Sequence, residues 1–190
     1  EQMHADLMQY HELERDIREA INLGQFHLAY QPKVNVRINQ LQGLEALLRW
    51  NSPTRGNVSP ADFIPVAEES GHIIPLGYWV LNEVCLTLKS WQDKGLTLVP
   101  VSVNVSARQF QQPDFHKRVA EVLRRHGVDP RLIEIELTEG LVMEDTDSAQ
   151  RELAQLKRIG LRISIDDFGT GYSCLSYLRR FPIDVLKIDR

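Results

Sequence analysis

Residues 163–172 read ISIDDFGTGY, an aliphatic run that ends in two adjacent aspartates and passes into a glycine-rich loop. Alternating isoleucines are typical of a β-strand that is buried on one face. Burying Asp166 beside Asp167 at the end of such a strand is costly unless a cation or a hydrogen-bond donor offsets the charge. The stretch therefore predicts a strand that ends in a functional site, and we expect a divalent metal ion there.

Strand-like and helix-like segments alternate on both sides of this stretch. The predicted strands span residues 26–34, 41–50, 98–105, 132–137, 161–165 and 183–188, and the predicted helices span 61–70, 76–94, 113–126, 148–159 and 172–180. Alternation of this kind is typical of an α/β protein with a parallel sheet, either open or closed into a barrel.

The predicted strands have one apolar and one polar face. In residues 99–106, VPVSVNVS, valines alternate with polar residues, and the later strands repeat this period of two. The carboxyl ends of barrel strands form the mouth where active sites lie, and there we expect Glu45, Asn104, Glu136, Asp166, Asp167 and Lys187 to converge. An antiparallel sheet with one solvated face would alternate in the same way, but the long helical connections favour the parallel arrangement.

The chemistry of these residues predicts a particular kind of metal site. Carboxylate and amide oxygens suit Mg²⁺ or Mn²⁺ better than zinc. Two such ions about 3.5–4 Å apart can clamp the attacking water and the leaving oxygen of a phosphoryl displacement. Two roles stay open for Lys187: it positions the water, or it forms a salt bridge that neutralises one carboxylate.

Composition limits the class of protein. The 190 residues are 43% apolar and 25% charged, with a net charge of −4, as expected for one soluble globular domain. The negative charge argues against DNA or RNA polymers as partners. Cys85 and Cys174 form no zinc-binding pattern and are interpreted as free thiols in a reducing compartment. With no signal peptide and no apolar span, we expect a cytoplasmic protein, while membrane anchoring of a longer parent stays open.

The first 22 residues have apolar side chains at helical spacing among many charges, and Gly24 is a plausible C-cap. We therefore predict an N-terminal helix or linker over residues 1–24 and the main domain over residues 25–190. The helix either links to an upstream module, which the absence of a starting Met favours, or packs on the barrel.

Six motifs occur in order along the chain: YQPKV (30–34), EALLRW (45–50), NVSARQF (104–110), ELTE (136–139), DDFGTGYS (166–173) and KID (187–189). Together they resemble the EAL domains, bacterial phosphodiesterases that linearise cyclic di-GMP. The resemblance covers residues 26–190. It implies an α/β fold, a TIM-like (β/α) barrel of EAL type preceded by an N-terminal helix, with six of its eight strands represented.

The resemblance also implies roles for individual residues. Hydrolysis of cyclic di-GMP to pGpG would use two Mg²⁺ or Mn²⁺ ions held by Glu45, Asn104, Glu136, Asp166 and Asp167, with Glu45, Lys187 and Asp167 catalytic. Gln31 and Arg49 are similar to substrate contacts, Glu139 to the residue that anchors the 166–173 loop, and Asp189 to a supporting residue near the second metal. From the residues alone, a surface ion pair stays open for Arg49 and a strand-end hydrogen bond stays open for Gln31.

Several expectations concern the whole protein. The family's last two strands, with a further catalytic glutamate and a glutamine, have no counterpart in residues 1–190, so we expect little turnover from this chain alone. The resemblance implies a homodimer formed through the EAL domain and an upstream sensor or GGDEF domain. A non-catalytic cyclic di-GMP receptor is the alternative function, and a dimerisation module is a third, but the retained glutamate and paired aspartates favour the enzyme.

Overall fold

The computed structural model describes residues 2–169 and 180–188, with side chains from residue 7 onward. The helices are α1 Gln2–Leu23, α2 Pro60–Ser70, α3 Ile73–Asp93, α4 Ala107–Phe110, α5 Phe115–His126, α6 Glu139–Glu144 and α7 Thr146–Ile159. The strands are β1 Phe26–Asn35, β2 Gln40–Ser52, β3 Gly56–Val58, β4 Val101–Asn104, β5 Ile133–Thr138, β6 Arg162–Phe168 and β7 Val185–Ile188. The helix predicted over residues 172–180 lies outside the described residues, apart from its last position.

The strands form one sheet in the order β1-β2-β4-β5-β6-β7, with the short β3 beside β2. The six predicted strands therefore lie side by side in chain order, which confirms the α/β sheet. From β2 onward the main path is parallel. Over residues 2–169 and 180–188 the sheet is not closed, since β1 and β7 are its two ends.

The prediction of parallel strands is wrong for the first pair. β1 and β2 are antiparallel, with a register that runs from Phe26 opposite Trp50 to Asn35 opposite Gln40. Only residues 36–39 connect the two strands, and a connection this short allows a hairpin but no crossover between parallel strands.

Short elements were missed because they contain too few residues for a hydrophobic periodicity to be recognised. These are β3, α4 and α6. One of them carried a readable signal: Ser106 and Gln109 form a capping box at the start of α4, in which each side chain bonds the backbone of the other. The strand predicted to end at residue 165 continues through the aspartates to Phe168.

Both faces of the central strands are covered. The apolar face is buried against the helices, with Val101, Ile133 and Ile163 at 0% exposure. The polar face is also buried, since Ser102 is 2% exposed and Glu136 is 1% exposed. A sheet with one solvated face is therefore excluded, since the polar side chains at the centre of the sheet are shielded from solvent.

The second half of α1 is part of a separate apolar cluster near the carboxyl end of β2. Ile17 and Ala20 are fully buried there with Trp50 and Phe63, whose ring centroids are 5.6 Å apart. The Trp50 indole N–H also donates to Gln25 Oε1 at 3.2 Å. Among the described residues, no helix combines the length and the apolar character that a membrane crossing requires.

We expect Ile17→Ala to destabilise the domain by about 2–5 kcal/mol, because it removes a fully buried side chain and leaves a cavity. The matched control is Leu7→Ala on the same helix, whose side chain is 53% exposed and whose loss should cost less than about 0.5 kcal/mol. Urea unfolding of both variants checks this, and equal costs would contradict the packing of α1.

Cys85 lies on α3 with no exposed surface, and this burial raises the pKa of its thiol to about 12. In the Cys174→Ser variant, we expect Cys85 to react with a thiol-specific disulfide reagent at pH 8 about a thousandfold more slowly in the native protein than after denaturation, because so little thiolate is present. Rapid reaction of the native protein would show that this part of the core opens readily.

Candidate active site at the carboxyl end of the sheet

Strand register brings four of the predicted residues to one edge of the polar face. Glu45 lies opposite Ser102, Asn104 opposite Glu136, and Thr138 opposite Asp166. Residues two apart on a strand share a face, so Glu136, two residues after Glu134, remains on the polar side. The carboxyl ends of β2, β4, β5 and β6 therefore contribute Glu45, Asn104, Glu136 and Asp166 to one region.

Lys187 from β7 is the centre of this region. Its ammonium Nζ lies 2.6 Å from Asp166 Oδ2, 3.0 Å from Glu136 Oε1 and 3.3 Å from Glu45 Oε2. Asn104 Nδ2 donates to the other oxygen of Glu45 at 3.0 Å. The structure thus brings five predicted residues together, and in it Lys187 forms salt bridges with three carboxylates rather than one.

The lysine is held in its charged form. Burial alone would lower the pKa of Lys187, but the hydrogen bonds to Asp166 and Glu136 outweigh burial and raise the pKa above its ordinary value. Because folding raises the pKa of Lys187, its ion pairs stabilise the fold fully at every pH below the ordinary lysine pKa. This stabilisation is lost only as the pH rises through the pKa of the folded state. At neutral pH Lys187 therefore carries a positive charge in the site.

Glu136 is the most buried carboxylate of the group, at 1% exposure. Burial raises its pKa, and the hydrogen bonds from Lys33 and Lys187 offset part of that effect. Its Oε1 atom accepts from both lysines, whereas Oε2 is buried without a hydrogen-bond partner among the described residues. An unsatisfied buried acceptor of this kind calls for a cation or a donor.

These residues fit a hard divalent cation in their chemistry. Three carboxylates and the amide oxygen of Asn104 are the donors that Mg²⁺ or Mn²⁺ prefers, and Glu136 Oε2 is free to coordinate. Among residues 2–169 and 180–188, no three acidic, cysteine or histidine side chains already form a metal cage. The ammonium of Lys187 lies between the carboxylates instead, so a metal ion would have to share them with it.

The aspartate pair lies where β6 departs from regular geometry. The pairing of β6 with β7 shifts between Ile165 and Phe168, and Asp167 adopts a left-handed backbone with φ of 54°. Such a conformation is uncommon for residues other than glycine and is often found at functional sites. The backbone N–H of Asp167 donates to Asp166 Oδ1 at 2.9 Å.

Glu139 contacts the start of the loop that follows β6. It is 3% exposed, and its Oε2 atom accepts the N–H of Gly169 at 3.0 Å. The rest of the loop and Asp189 lie outside the described residues, so the anchoring of the loop beyond Gly169 and the supporting role of Asp189 stay predictions.

Glu139→Ala should release this end of the loop, because Gly169 N–H loses a charged acceptor. We expect the Gly169 amide to exchange with solvent about tenfold faster, equivalent to about 1.4 kcal/mol. Glu139→Gln keeps an oxygen that can accept the bond and should show a smaller effect. Amide hydrogen exchange measures both, and unchanged protection in Glu139→Ala would contradict the anchoring.

The two predicted substrate contacts lie on β1 and on β2, the strand that carries Glu45. Gln31 on β1 is directly opposite Glu45 and is exposed. Arg49 is four residues after Glu45 on β2, is half-buried, and donates to the Leu48 carbonyl oxygen at 2.8 Å. Within the described residues Arg49 has no carboxylate partner, which disfavours the surface ion pair.

A cavity of about 560 Å³ opens beside these residues. Arg49, Asn104 and Glu136 line one part of it, and apolar side chains such as Ile64 and Leu76 line another. A volume of this size is in the range of small-ligand sites. The cavity was not predicted, because its wall combines α2, α3, α4 and α6, which are far apart in the sequence.

Sequence reasoning also missed a second lysine. Lys33 Nζ lies 2.9 Å from Glu136 Oε1 and 3.1 Å from Glu134 Oε1, and it donates to the Ser102 hydroxyl. Its position two residues after Gln31 was the available signal, since the two share one strand face.

An EAL domain family model matches residues 14–190. The chain belongs to the EAL domain family. It is 43% identical over 188 residues to the bifunctional diguanylate cyclase/cyclic di-GMP phosphodiesterase MucR of Pseudomonas aeruginosa, covering 99% of this chain and 27% of that protein. It is 41% identical over 189 residues to the cyclic di-GMP phosphodiesterase PdeR of Escherichia coli, covering 100% of this chain and 28% of that protein. The chain therefore spans about a quarter of the length of these relatives.

Solved structures of EAL proteins share the fold. A MucR phosphodiesterase in complex with cyclic di-GMP superimposes with a TM-score of 0.90 at 43% identity, over 94% of this chain and 72% of that one. The EAL enzyme Bd1971, bound to cAMP and cyclic di-GMP, gives a TM-score of 0.88 at 38% identity, over 97% of this chain and 51% of that one. These matches confirm the predicted EAL-type, TIM-like fold.

Proposed function

We propose that this EAL domain is a metal-dependent phosphodiesterase that hydrolyses cyclic di-GMP to the linear dinucleotide pGpG. One observation carries the proposal: Glu45, Asn104, Glu136 and Asp166 converge around Lys187 at the carboxyl end of the sheet. The relatives MucR and PdeR, which bear the name of cyclic di-GMP phosphodiesterases, support the choice of substrate.

Metal binding is assigned to one set of side chains. The proposed ligands of two Mg²⁺ or Mn²⁺ ions are Glu45, Asn104, Glu136, Asp166 and Asp167. Such ions, when bound, lower the pKa of a coordinated water and neutralise charge on the phosphate. Support comes from the donor chemistry and from the free Oε2 atom of Glu136.

The chain's own residues then orient the substrate and offset negative charge in the site. Lys187 holds three carboxylates together, and because its side chain is 28% exposed, its ammonium is within reach of a water molecule or a phosphate oxygen. Arg49 lines the cavity, and its planar, forked guanidinium suits a phosphate or a guanine edge. Gln31 flanks Glu45 on the neighbouring strand. The buried setting of Glu136 strengthens every charge interaction around it.

Chromatography of cyclic di-GMP incubated with the full-length protein tests the reaction. We expect pGpG with Mg²⁺ or Mn²⁺ and none with EDTA. Glu45→Ala should lower the turnover rate at least about a hundredfold, because it removes both a proposed metal ligand and a Lys187 partner. The 190-residue chain alone is expected to show little turnover.

Glu121→Ala is the matched control, since it removes an exposed glutamate of α5 that pairs only with Arg125 among the described residues. Its turnover should equal that of the unaltered protein. If Glu45→Ala hydrolysed cyclic di-GMP at the unaltered rate, the assigned site would be wrong.

A non-catalytic receptor is the second candidate, and the position of Lys187 favours it more than any other observation. The ammonium contacts all three carboxylates, so part of their negative charge is offset without a metal ion. Equilibrium dialysis with labelled cyclic di-GMP separates the two functions. A receptor binds the ligand and releases it unchanged in the presence of metal, whereas the enzyme releases pGpG.

The wider setting is also a proposal. We place the protein in the cytoplasm, as a homodimer through the EAL domain, with an upstream sensor or GGDEF domain and no DNA or RNA polymer as partner. Its relatives support further domains, because the chain spans only about a quarter of their length and MucR is named as bifunctional.

A further inference from the structure

Lys33 reaches the site from the opposite side to Lys187. It lies on β1, directly opposite Gly43 of β2, and the side chains of such a pair share one face of the sheet. The stem of Lys33 passes over β2 at Gly43, where an added Cβ atom would lie 3.9 Å from Lys33 Cδ, an ordinary van der Waals contact. The ammonium then meets residues of β4 and β5.

The contacts of Lys33 are with buried groups. Its Nζ lies 3.1 Å from Glu134 Oε1 and 2.9 Å from Glu136 Oε1, and these two glutamates are 5% and 1% exposed. It also donates to the hydroxyl of Ser102, which is 2% exposed. A lysine with three buried partners is fixed in position by all three of its N–H donors.

Glu136 is therefore bound by two lysines through the same oxygen. Lys33 and Lys187 both contact Oε1, at 2.9 Å and 3.0 Å, and neither contacts Oε2. Lys187 also has Glu45 and Asp166 as partners, so its ammonium is shared among three carboxylates. If Lys187 moves, Lys33 still holds Oε1, and the carboxylate plane keeps its direction.

We propose that Lys33 is a positioning residue for Glu136: by holding Oε1 it presents Oε2 as the oxygen that binds a metal ion. The inference rests on the proposed metal-dependent function and adds a residue to it. Outer contacts of this kind orient metal ligands, and their loss typically costs about 10–100-fold in metal affinity.

A simpler role must be separated from this one. Lys33 also neutralises Glu134, and a lysine needed only for that charge balance would be structural. Glu134 itself has other partners, since Ser102 Oγ donates to its Oε1 at 2.7 Å and Arg162 Nε lies 3.3 Å from its Oε2. Removing the charges of Lys33 and Glu134 together keeps the net charge of the interior and isolates the contact with Glu136.

The experiment compares Lys33→Met, Glu134→Gln and the double variant in the full-length protein. Mn²⁺ affinity is measured by calorimetric titration without cyclic di-GMP, and thermal unfolding is measured in EDTA. We expect Lys33→Met to lower both the unfolding temperature and the Mn²⁺ affinity, the latter at least about tenfold. Glu134→Gln should keep the affinity within about twofold, because it leaves Lys33 on Glu136.

The double variant decides between the two roles. We expect it to recover the unfolding temperature, because its interior charge is balanced, but to keep the low affinity of Lys33→Met. Recovery of the affinity would show that Lys33 only balances Glu134 and would overturn the proposal. A double variant that does not fold would also contradict the proposal, since the charge balance of the interior would then not have been restored.

The test distinguishes this inference from the function on which it rests. If the unaltered protein binds Mn²⁺ and Lys33→Met binds it equally well, only the role of Lys33 is lost. If the unaltered protein binds no Mn²⁺, the metal-dependent function fails, and the positioning role fails with it.

Discussion

Negative charge buried inside the sheet is the constraint on which the rest of the structure depends. Glu134 and Glu136 are almost inaccessible to solvent, and an isolated carboxylate there would cost more than most single interactions supply. The cost is offset by lysines from the two outermost strands of the sheet path, Lys33 on β1 and Lys187 on β7. The polar residues, the strand register and the site are therefore parts of one electrostatic arrangement.

The two lysines have different surroundings. Lys33 contacts Glu134 and Glu136, which are 5% and 1% exposed, whereas Lys187 also contacts Glu45 and Asp166 nearer the strand ends. A cation entering the site competes with Lys187 for the same oxygens, while the contacts of Lys33 leave Glu136 Oε2 free. Lys33 thus belongs to the permanent framework, and Lys187 belongs to the part of the site that changes when a ligand binds.

Much of this was visible in the sequence, for a physical reason. A period of two in a strand fixes which side chains share a face, so the convergence of Glu45, Asn104, Glu136 and Asp166 followed from alternation and from the meeting of parallel strand ends. The antiparallel start of the sheet was not deduced, because alternation is the same in both directions and the short connection was not weighed.

Other features depend on tertiary contacts that no local pattern contains. Lys33 was overlooked because its partners are on β4 and β5, 69 to 103 residues further along the chain. The cavity wall is assembled from four separate helices. Short α4 gave no periodicity, although its capping box between Ser106 and Gln109 was readable.

The contact between Lys33 and Glu136 also shows that the sheet is curved. β1 and β5 are three places apart in the strand order, which in a flat sheet would separate their backbones by roughly 14 Å. In a flat sheet the side chains of both residues would stand roughly perpendicular to its surface and their charged atoms would stay far apart, yet these atoms are 2.9 Å apart. The strands must therefore curl around the polar side chains. The ion pair between Lys33 and Glu136 connects β1 and β5 across the concave face of this curved sheet.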